Sequence, residues 1–363
     1  MNSKYLILTF LVSSLLIVAC KKTVTGTFAS YDDTPYALNV VNNTLPAPNL
    51  PSDNPLTKAK VELGRMLFYE KSMSSDGTVS CASCHNQATG FSDANQFSIG
   101  VGGATGGRQA MAIINMAWND NEFFWDGRAH LLRDQSLGPI ENPVEMNETL
   151  ENVIVKLNSN QKIKQQFIRA FGTPEITSEK MSLAMENFMM ALVSDDSKYD
   201  RYLVGAAVLT ASEERGRALF FEEYNEFFPD LSGADCAHCH SGANFENDLY
   251  MNNGLDLTSQ FVDFGREDAT ANPMDRAKFK VPTLRNIEVT GPYMHDGRFQ
   301  TLEEVVNQYD HGIKNSTTVD PAVLATSATG LMLNDQDKQD LVNFLKTLTD
   351  YTFLSNTAYS DPN

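Results

Sequence analysis

Residues 81–85 read "CASCH" and residues 236–240 read "CAHCH". These two copies of one pentapeptide take four of the five cysteines in a chain of 363 residues. Each copy sits inside a longer repeat. "LGRMLFYE" (Leu63 to Glu70) precedes the first, and "RGRALFFEE" (Arg215 to Glu223) precedes the second. A short polar stretch ending in Phe91 or Phe245 follows each. Farther on, "FFWDGR" (Phe123 to Arg128) answers "YMHDGR" (Tyr293 to Arg298), and a leucine stands beyond each arginine at Leu132 and Leu302. Both halves close on an amphipathic helix, with Met181, Ala184, Met185 and Phe188 on one face and Leu341, Phe344, Leu345 and Leu348 on the other. Sustained period-two runs and spaced hairpin turns are missing. The expectation is two similar, mostly helical domains with long loops, over residues 55–205 and 206–363, joined near "DRYLVGAAVLTASEE". Gly64 and Gly216, each on a helix leading into a pentapeptide, would admit another backbone or a flat ligand at close range.

The formal charge is −18, and no basic run or arginine-rich face occurs. Phosphate binding needs clustered Lys and Arg, so nucleic acid is not an expected partner. A basic protein suits the charge better, because opposite potentials speed encounter. The N-terminus, "MNSKYLILTFLVSSLLIVACKK", has a cation at Lys4, an apolar run from Tyr5 to Val18, then Ala19-Cys20. That is the pattern of a secretory signal, too short and wrongly flanked for a spanning helix. Its "IVAC" ending resembles a bacterial lipoprotein signal, over residues 1–19, with Cys20 lipidated as the new N-terminus. Residues 20–54, polar and Pro-rich, would form the tether, and the protein is expected in the periplasm, anchored to a membrane. With Cys20 acylated, every remaining cysteine lies in a pentapeptide, and none is left to staple the fold.

C-x-x-C-H is the attachment signature of c-type haem. Its two thiols form thioethers with the haem vinyl groups, and the adjacent histidine becomes the proximal iron ligand. A zinc site would need four ligands closing a tetrahedron, reached here only by pairing the halves. A thioredoxin-like dithiol would use neither His85 nor His240, nor the duplication. Export, duplication and both histidines predict two covalent haems, on Cys81, Cys84 and His85 and on Cys236, Cys239 and His240. The expected fold is therefore mainly all-α, as two tandem cytochrome c-like haem domains. Six histidines limit the choice of further axial ligands. His238 is a spacer between two bonded cysteines, which leaves His130, His295 and His311.

With "SCASCH", "FWDGRA", "GPIENPVEM", "VPTLRN", "TGPYMHDGRF" and "TLEEVV", the chain resembles the bacterial di-haem cytochrome c peroxidases and their MauG-type relatives. The resemblance runs from about residue 55 to about residue 350. It implies a peroxidatic haem in the N-terminal domain and an electron-transfer haem in the C-terminal one. Many members cap the first haem with a histidine on the loop after the first pentapeptide. Here that loop, "FSIGVGGATGGRQAMAIINMAW", has none, which matches MauG-type and constitutively open members; His130 is the alternative cap.

Gln135 falls at i+3 and i+4 from Leu132 and Leu131 and is expected to face inward with them. Glu145 follows ten residues later, the separation at which the family places its distal Gln and catalytic Glu. The resemblance makes Glu145 the acid/base that moves the peroxide proton to the leaving oxygen. It makes Trp125 the relay between haems. Near the second haem, Thr301 and Glu304 form a capping box, and Leu302, Val305, Val306 and Tyr309 share the buried stripe that follows. Cytochrome c peroxidases offer a methionine from this helix and MauG-type enzymes a tyrosine, so Tyr309 is the expected distal ligand. Met294 is the competing thioether, and His311 an outside alternative.

A calcium between the domains would take the Gln109 amide, where the family has Asn, and the carbonyls of Thr290 and Pro292. The activity implied is reduction of hydrogen peroxide to water, with electrons from a small donor cytochrome. A MauG-type oxidase acting on residues of a partner protein is the alternative, and from another class a di-haem electron carrier. The resemblance also allows a homodimer.

Overall fold

The computed structural model describes residues 29–228 and 231–362. The leader lies outside the described residues, and with it the lipidation expected at Cys20. The fold is mainly helical, as the patterning predicted. In the first half come α1 (Lys58–Tyr69), the short α2 (Cys81–Cys84) of the first pentapeptide, α3 (Leu132–Glu141), α4 (Leu150–Asn158), α5 (Gln161–Phe171) and α6 (Ser178–Met190). After α7 (Lys198–Leu203), the second half has α8 (Ala211–Phe221), α9 (Arg266–Thr270), α10 (Leu302–Asn307), α11 (Pro321–Ala325) and α12 (Asp335–Lys346). Helix α13 (Tyr351–Ser355) closes the chain. Among the described residues the one sheet pairs β1 (Tyr250–Met251) antiparallel with β2 (Phe279–Lys280). Reciprocal capping boxes start α8, from Thr210 and Glu213, and α10, from Thr301 and Glu304, so orphan backbone donors are satisfied locally.

The apolar stripes of the two closing helices are buried as their spacing predicted. Each receives the helix that leads into a pentapeptide: α1 packs on α6, and α8 on α12. Glycine permits the contact. A Cβ on Gly64 would sit 2.0 Å from the Ala184 carbonyl oxygen, and one on Gly216 would sit 1.9 Å from that of Asp340. The close neighbour is thus a helix backbone. The duplication extends to unusual dihedrals. Phe91 and Phe245 have φ of 55° and 54°, Asn115 and Asn286 have 55° and 59°, and Phe124 and Met294 have 69° and 73°. The backbone pairs Phe123 with Ala129 and Tyr293 with Phe299, so both "DGR" turns are pinched alike.

Two apolar cores result, and their edges differ from the expected spans of 55–205 and 206–363. Tyr199 already packs in the second core, while Phe353 and Tyr359 return to the first. The last helix crosses back because Phe353 stacks edge-on against Phe91, behind the first pentapeptide. Residues 29–54, read from composition as part of a tether, instead lie along the protein as a strap. Its polar groups find carboxylates: the amides of Val41 and Asn42 bond to Asp195, and Thr44 bonds to Asp200. Asp200 also holds Arg285 bidentately at 2.9 and 3.0 Å, both groups buried. Among the described residues no helix is long and apolar enough to cross a membrane.

Replacing Gly64 or Gly216 by Ala forces two helix backbones apart and is expected to destabilise the holo-protein by about 1–3 kcal/mol. Gly106→Ala, which meets nothing within 4 Å, is the neutral comparison. Thermal unfolding followed by circular dichroism reads the difference.

Candidate functional site

One connected cavity is shared by the two halves. Cys84 and His85 line it from the first pentapeptide, and Cys236, Cys239 and His240 from the second. The histidines are oriented alike. His85 Nδ1 lies 2.8 Å from the Phe91 carbonyl, and His240 Nδ1 lies 3.1 Å from that of Pro282 and 3.2 Å from that of Phe245. A carbonyl can only accept, so Nδ1 carries the proton and Nε2 keeps a lone pair for a metal. Burial holds both imidazoles below their usual range, His240 at about 4, and so neutral.

Burial also pushes the Cys81, Cys236 and Cys239 thiols up to about 12. Thiols so protonated are poor redox dithiols, which argues against the thioredoxin reading. Among the described residues no group of three or more His, Cys, Asp or Glu side chains is arranged to hold a metal ion. Paired thiols, a neutral histidine with Nε2 free and an apolar cavity wall fit a c-type haem at each pentapeptide.

Around the first pentapeptide, Gln135 and Glu145 both line the cavity. Gln135 comes from α3 and is half-buried; of its leucine neighbours Leu132 is buried, but Leu131 caps the helix start and is exposed, unlike the inward pair expected. Glu145 follows the end of α3 in a turn closed by its own amide on the Asn142 carbonyl at 3.0 Å. Its Oε1 accepts from Asn142 Nδ2 at 2.7 Å. Burial raises its carboxyl above the usual range, against the opposing pull of Asn142 and Arg128. The histidine-free loop supports this turn directly. Val101 N donates to the Glu145 carbonyl at 2.8 Å, and a Cβ on Gly100 would lie 2.2 Å from the Val144 oxygen. His130 is 82% exposed and leans toward Glu122, away from the cavity, so it caps nothing.

The second half is built differently. Tyr309 sits in a π-turn, Gln308–Gly312, that continues α10, and its ring faces the cavity. Single π-turns within helices commonly mark functional positions. Burial pushes its phenol up to about 12. Asn253 Nδ2 is 3.2 Å from Tyr309 Oη and 3.3 Å from Met294 Sδ, so one amide gathers both competing ligands. His311 is 68% exposed and paired with Asp310 at 2.6 Å, which takes it out of contention. His238 points outward toward Asp320, as a spacer should.

Trp125 lines the same cavity, its Nε1 donating to the Gln109 carbonyl at 2.8 Å. Gln109, Thr290 and Pro292 are cavity residues too, but the Gln109 amide nitrogen is already bonded to Ser92 Oγ and the Asp93 carbonyl.

Sequence reasoning missed several groups here. Arg128 lies 3.6 Å over the Phe124 ring and faces Glu145; its signal was the repeated "DGR". His295, named only as a leftover histidine, stacks on Phe279 at 3.7 Å, a contact no spacing announced. Arg108 ties Asp126 of the first half to Asp263 of the second at 2.6 and 2.7 Å. Asn253 and Glu246 carried no spacing signal at all.

Residues 58–208 match the family model described as di-haem cytochrome c peroxidase. The chain is 34% identical over 302 residues to the methylamine utilization protein MauG of Methylorubrum extorquens, covering 82% of this chain and 80% of that one. It is 36% identical over 290 residues to cytochrome c551 peroxidase of Nitrosomonas europaea, covering 79% of each. The solved structure of a MauG-like protein associated with microbial copper homeostasis superposes with a TM-score of 0.81 at 31% identity, over 90% of this chain and 99% of that one. Two histidine-anchored pentapeptides around one cavity, and relatives matched over most of their length, place this enzyme in the di-haem cytochrome c peroxidase family, whose members carry two c-type haems.

Proposed function

We propose that the enzyme reduces hydrogen peroxide to water at the His85 site, with electrons that arrive at the His240 site from a small donor cytochrome and pass Trp125. The observation that carries this reading is the asymmetry of the cavity. A buried Glu145, its carboxyl raised by that burial, lines the cavity with Gln135 and Arg128 on the side of one pentapeptide, whereas two side chains able to ligate iron converge near the other. When bound, the haems supply the one-electron redox chemistry and the iron at which peroxide is held. Cys81, Cys84 and His85 would hold the first and Cys236, Cys239 and His240 the second, with Tyr309 as a further ligand of the second.

The protein's own task is proton movement. Turning one peroxide into two waters consumes two electrons and two protons. Glu145 Oε takes the proton from the near peroxide oxygen and returns it to the far one, so water leaves rather than hydroxide. Gln135 positions the peroxide by hydrogen bonding, and Arg128 favours the carboxylate form in which Glu145 begins and ends each cycle, Glu145 being neutral between the two transfers. An acidic surface favours a basic donor. Anchoring through Cys20 would keep the enzyme in the periplasm, and a calcium at Gln109, Thr290 and Pro292 would add a hard cation between the halves.

A second reading has specific support: Tyr309 with its Asn253 partner, and the likeness to MauG, favour an oxidase that draws electrons from residues of a partner protein. Peroxide turnover with a reduced cytochrome separates the two, since only the first reading predicts multiple turnovers without a protein substrate.

Glu145→Gln is expected to lower kcat/KM for peroxide by about 10²–10⁴-fold while haem content stays unchanged. Because the carboxyl is raised and must be ionised to accept a proton, wild-type kcat/KM should fall with decreasing pH at a point above the usual carboxylate range. The acid limb should be absent from the residual activity of the Gln variant. Tyr309→Met exchanges an oxygen ligand for a thioether and is expected to raise the potential of the second haem. Spectroelectrochemical titration checks this, and an unmoved potential would exclude Tyr309 as ligand.

A further inference from the structure

Among the described residues two carboxylates line the central cavity, Glu145 and Glu246. The second has no part in the chemistry above. Glu246 directly follows Phe245, whose carbonyl meets His240 Nδ1 at 3.2 Å. Its Oε1 accepts from Asn244 Nδ2, and Asn244 Oδ1 accepts in turn from Asn115 Nδ2 at 3.0 Å. Asn115 is fully buried in the first half, so a chain of neutral amides crosses between the halves and ends on this carboxyl.

The charged groups facing Glu246 are Asp248 of its own loop, Lys280 of β2 and Asp120 from the segment before "FFWDGR". Lys280 is 4% exposed and already paired with Asp248 at 3.1 Å. Its backbone amide donates to the Trp125 carbonyl at 2.7 Å, so the cluster adjoins the relay position. Burial first, then Asp248, push the Glu246 carboxyl up to about 7, against Lys280 and Asn244. A buried carboxyl gains proton affinity when negative charge arrives nearby.

We propose that Glu246 binds one proton when the His240 site accepts one electron, and releases it when that electron moves on past Trp125. This rests on reading the His240 site as the point where electrons arrive. In each cycle the donor loses one electron, the second haem gains it, and the Glu246 carboxylate becomes a carboxylic acid with a proton from solvent. The added electron and the added proton cancel, which removes the cost of placing an uncompensated charge in a buried site. Two such cycles deliver the two electrons that one peroxide consumes, and each proton released by Glu246 returns to the solvent it came from.

The test is the midpoint potential of the second haem in the holo-protein, titrated optically across the neutral pH range. Because the reduced state binds the proton more tightly, the wild-type potential should fall as pH rises, by up to 59 mV for each tenfold drop in proton concentration. Glu246→Gln, neutral like the protonated acid, should show a flat potential near the wild-type low-pH limit. A wild-type potential that ignores pH, or a slope that survives in Glu246→Gln, overturns the proposal.

Should the variant fail to incorporate haem, proton uptake by wild type on reduction of the second haem, read with an indicator dye in weak buffer, decides the matter. Uptake that rises toward one proton per electron is expected as the pH is raised above about 7, where the oxidised-state carboxyl is ionised, and none overturns the proposal. Both readouts are independent of peroxide: a pH-dependent potential without peroxide turnover sinks the peroxidase reading alone, and turnover with a flat potential sinks Glu246 alone.

Discussion

Helix backbones touch at Gly64 and Ala184 in one half and at Gly216 and Asp340 in the other, and each haem-binding segment is hung from that crossing. Any larger residue would part the helices, because the contact is to carbonyl oxygens that cannot rotate aside. The constraint reaches the pentapeptides through the turns that follow them. Phe91 and Phe245 take the same left-handed backbone and present the carbonyls that orient His85 and His240. A histidine with its Nδ1 proton committed to a carbonyl offers Nε2 in one direction only. Packing and ligation are thus one device, used twice.

From this shared scaffold the halves diverge where they face the cavity. The first places a carboxyl, an amide and a guanidinium there; the second places a phenol and a thioether around one amide. The "DGR" turns show how little backbone change this needed. Phe124 and Met294 share a strained dihedral, yet one offers a ring for Arg128 to stack on and the other a sulfur near Tyr309. The electrostatics follow burial. Glu145 and Glu246 are raised because burial outweighs the pull of Asn142 and Arg128 on the first and of Lys280 and Asn244 on the second, where Asp248 adds to the rise.

The parts of this protein that could be read along the chain are those whose chemistry is local. Covalent attachment and proximal ligation need five consecutive residues, and helix faces need only their periodicity, so two haem sites, a duplicated helical fold and the buried faces of α6 and α12 were legible. Of the six histidines, His238, read as a spacer, points outward to Asp320, while the exposure of His130 and His311, both left open as candidate ligands, came only from the fold. Composition misled for residues 29–54, whose polar side chains read as a linker until Asp195 and Asp200 supplied partners more than a hundred residues away. The same distance hid the core boundaries, because Phe353 joins Phe91 only after the chain has built a second domain.

Cavity composition could come only from the folded molecule. Asn253 meets Tyr309 and Met294 from 56 and 41 residues away, and Glu246 depends on Asn115 through Asn244, 129 residues apart. No spacing rule connects such positions. Their proton affinities belong to the burial around them, which is a property of the packed whole and of no segment within it.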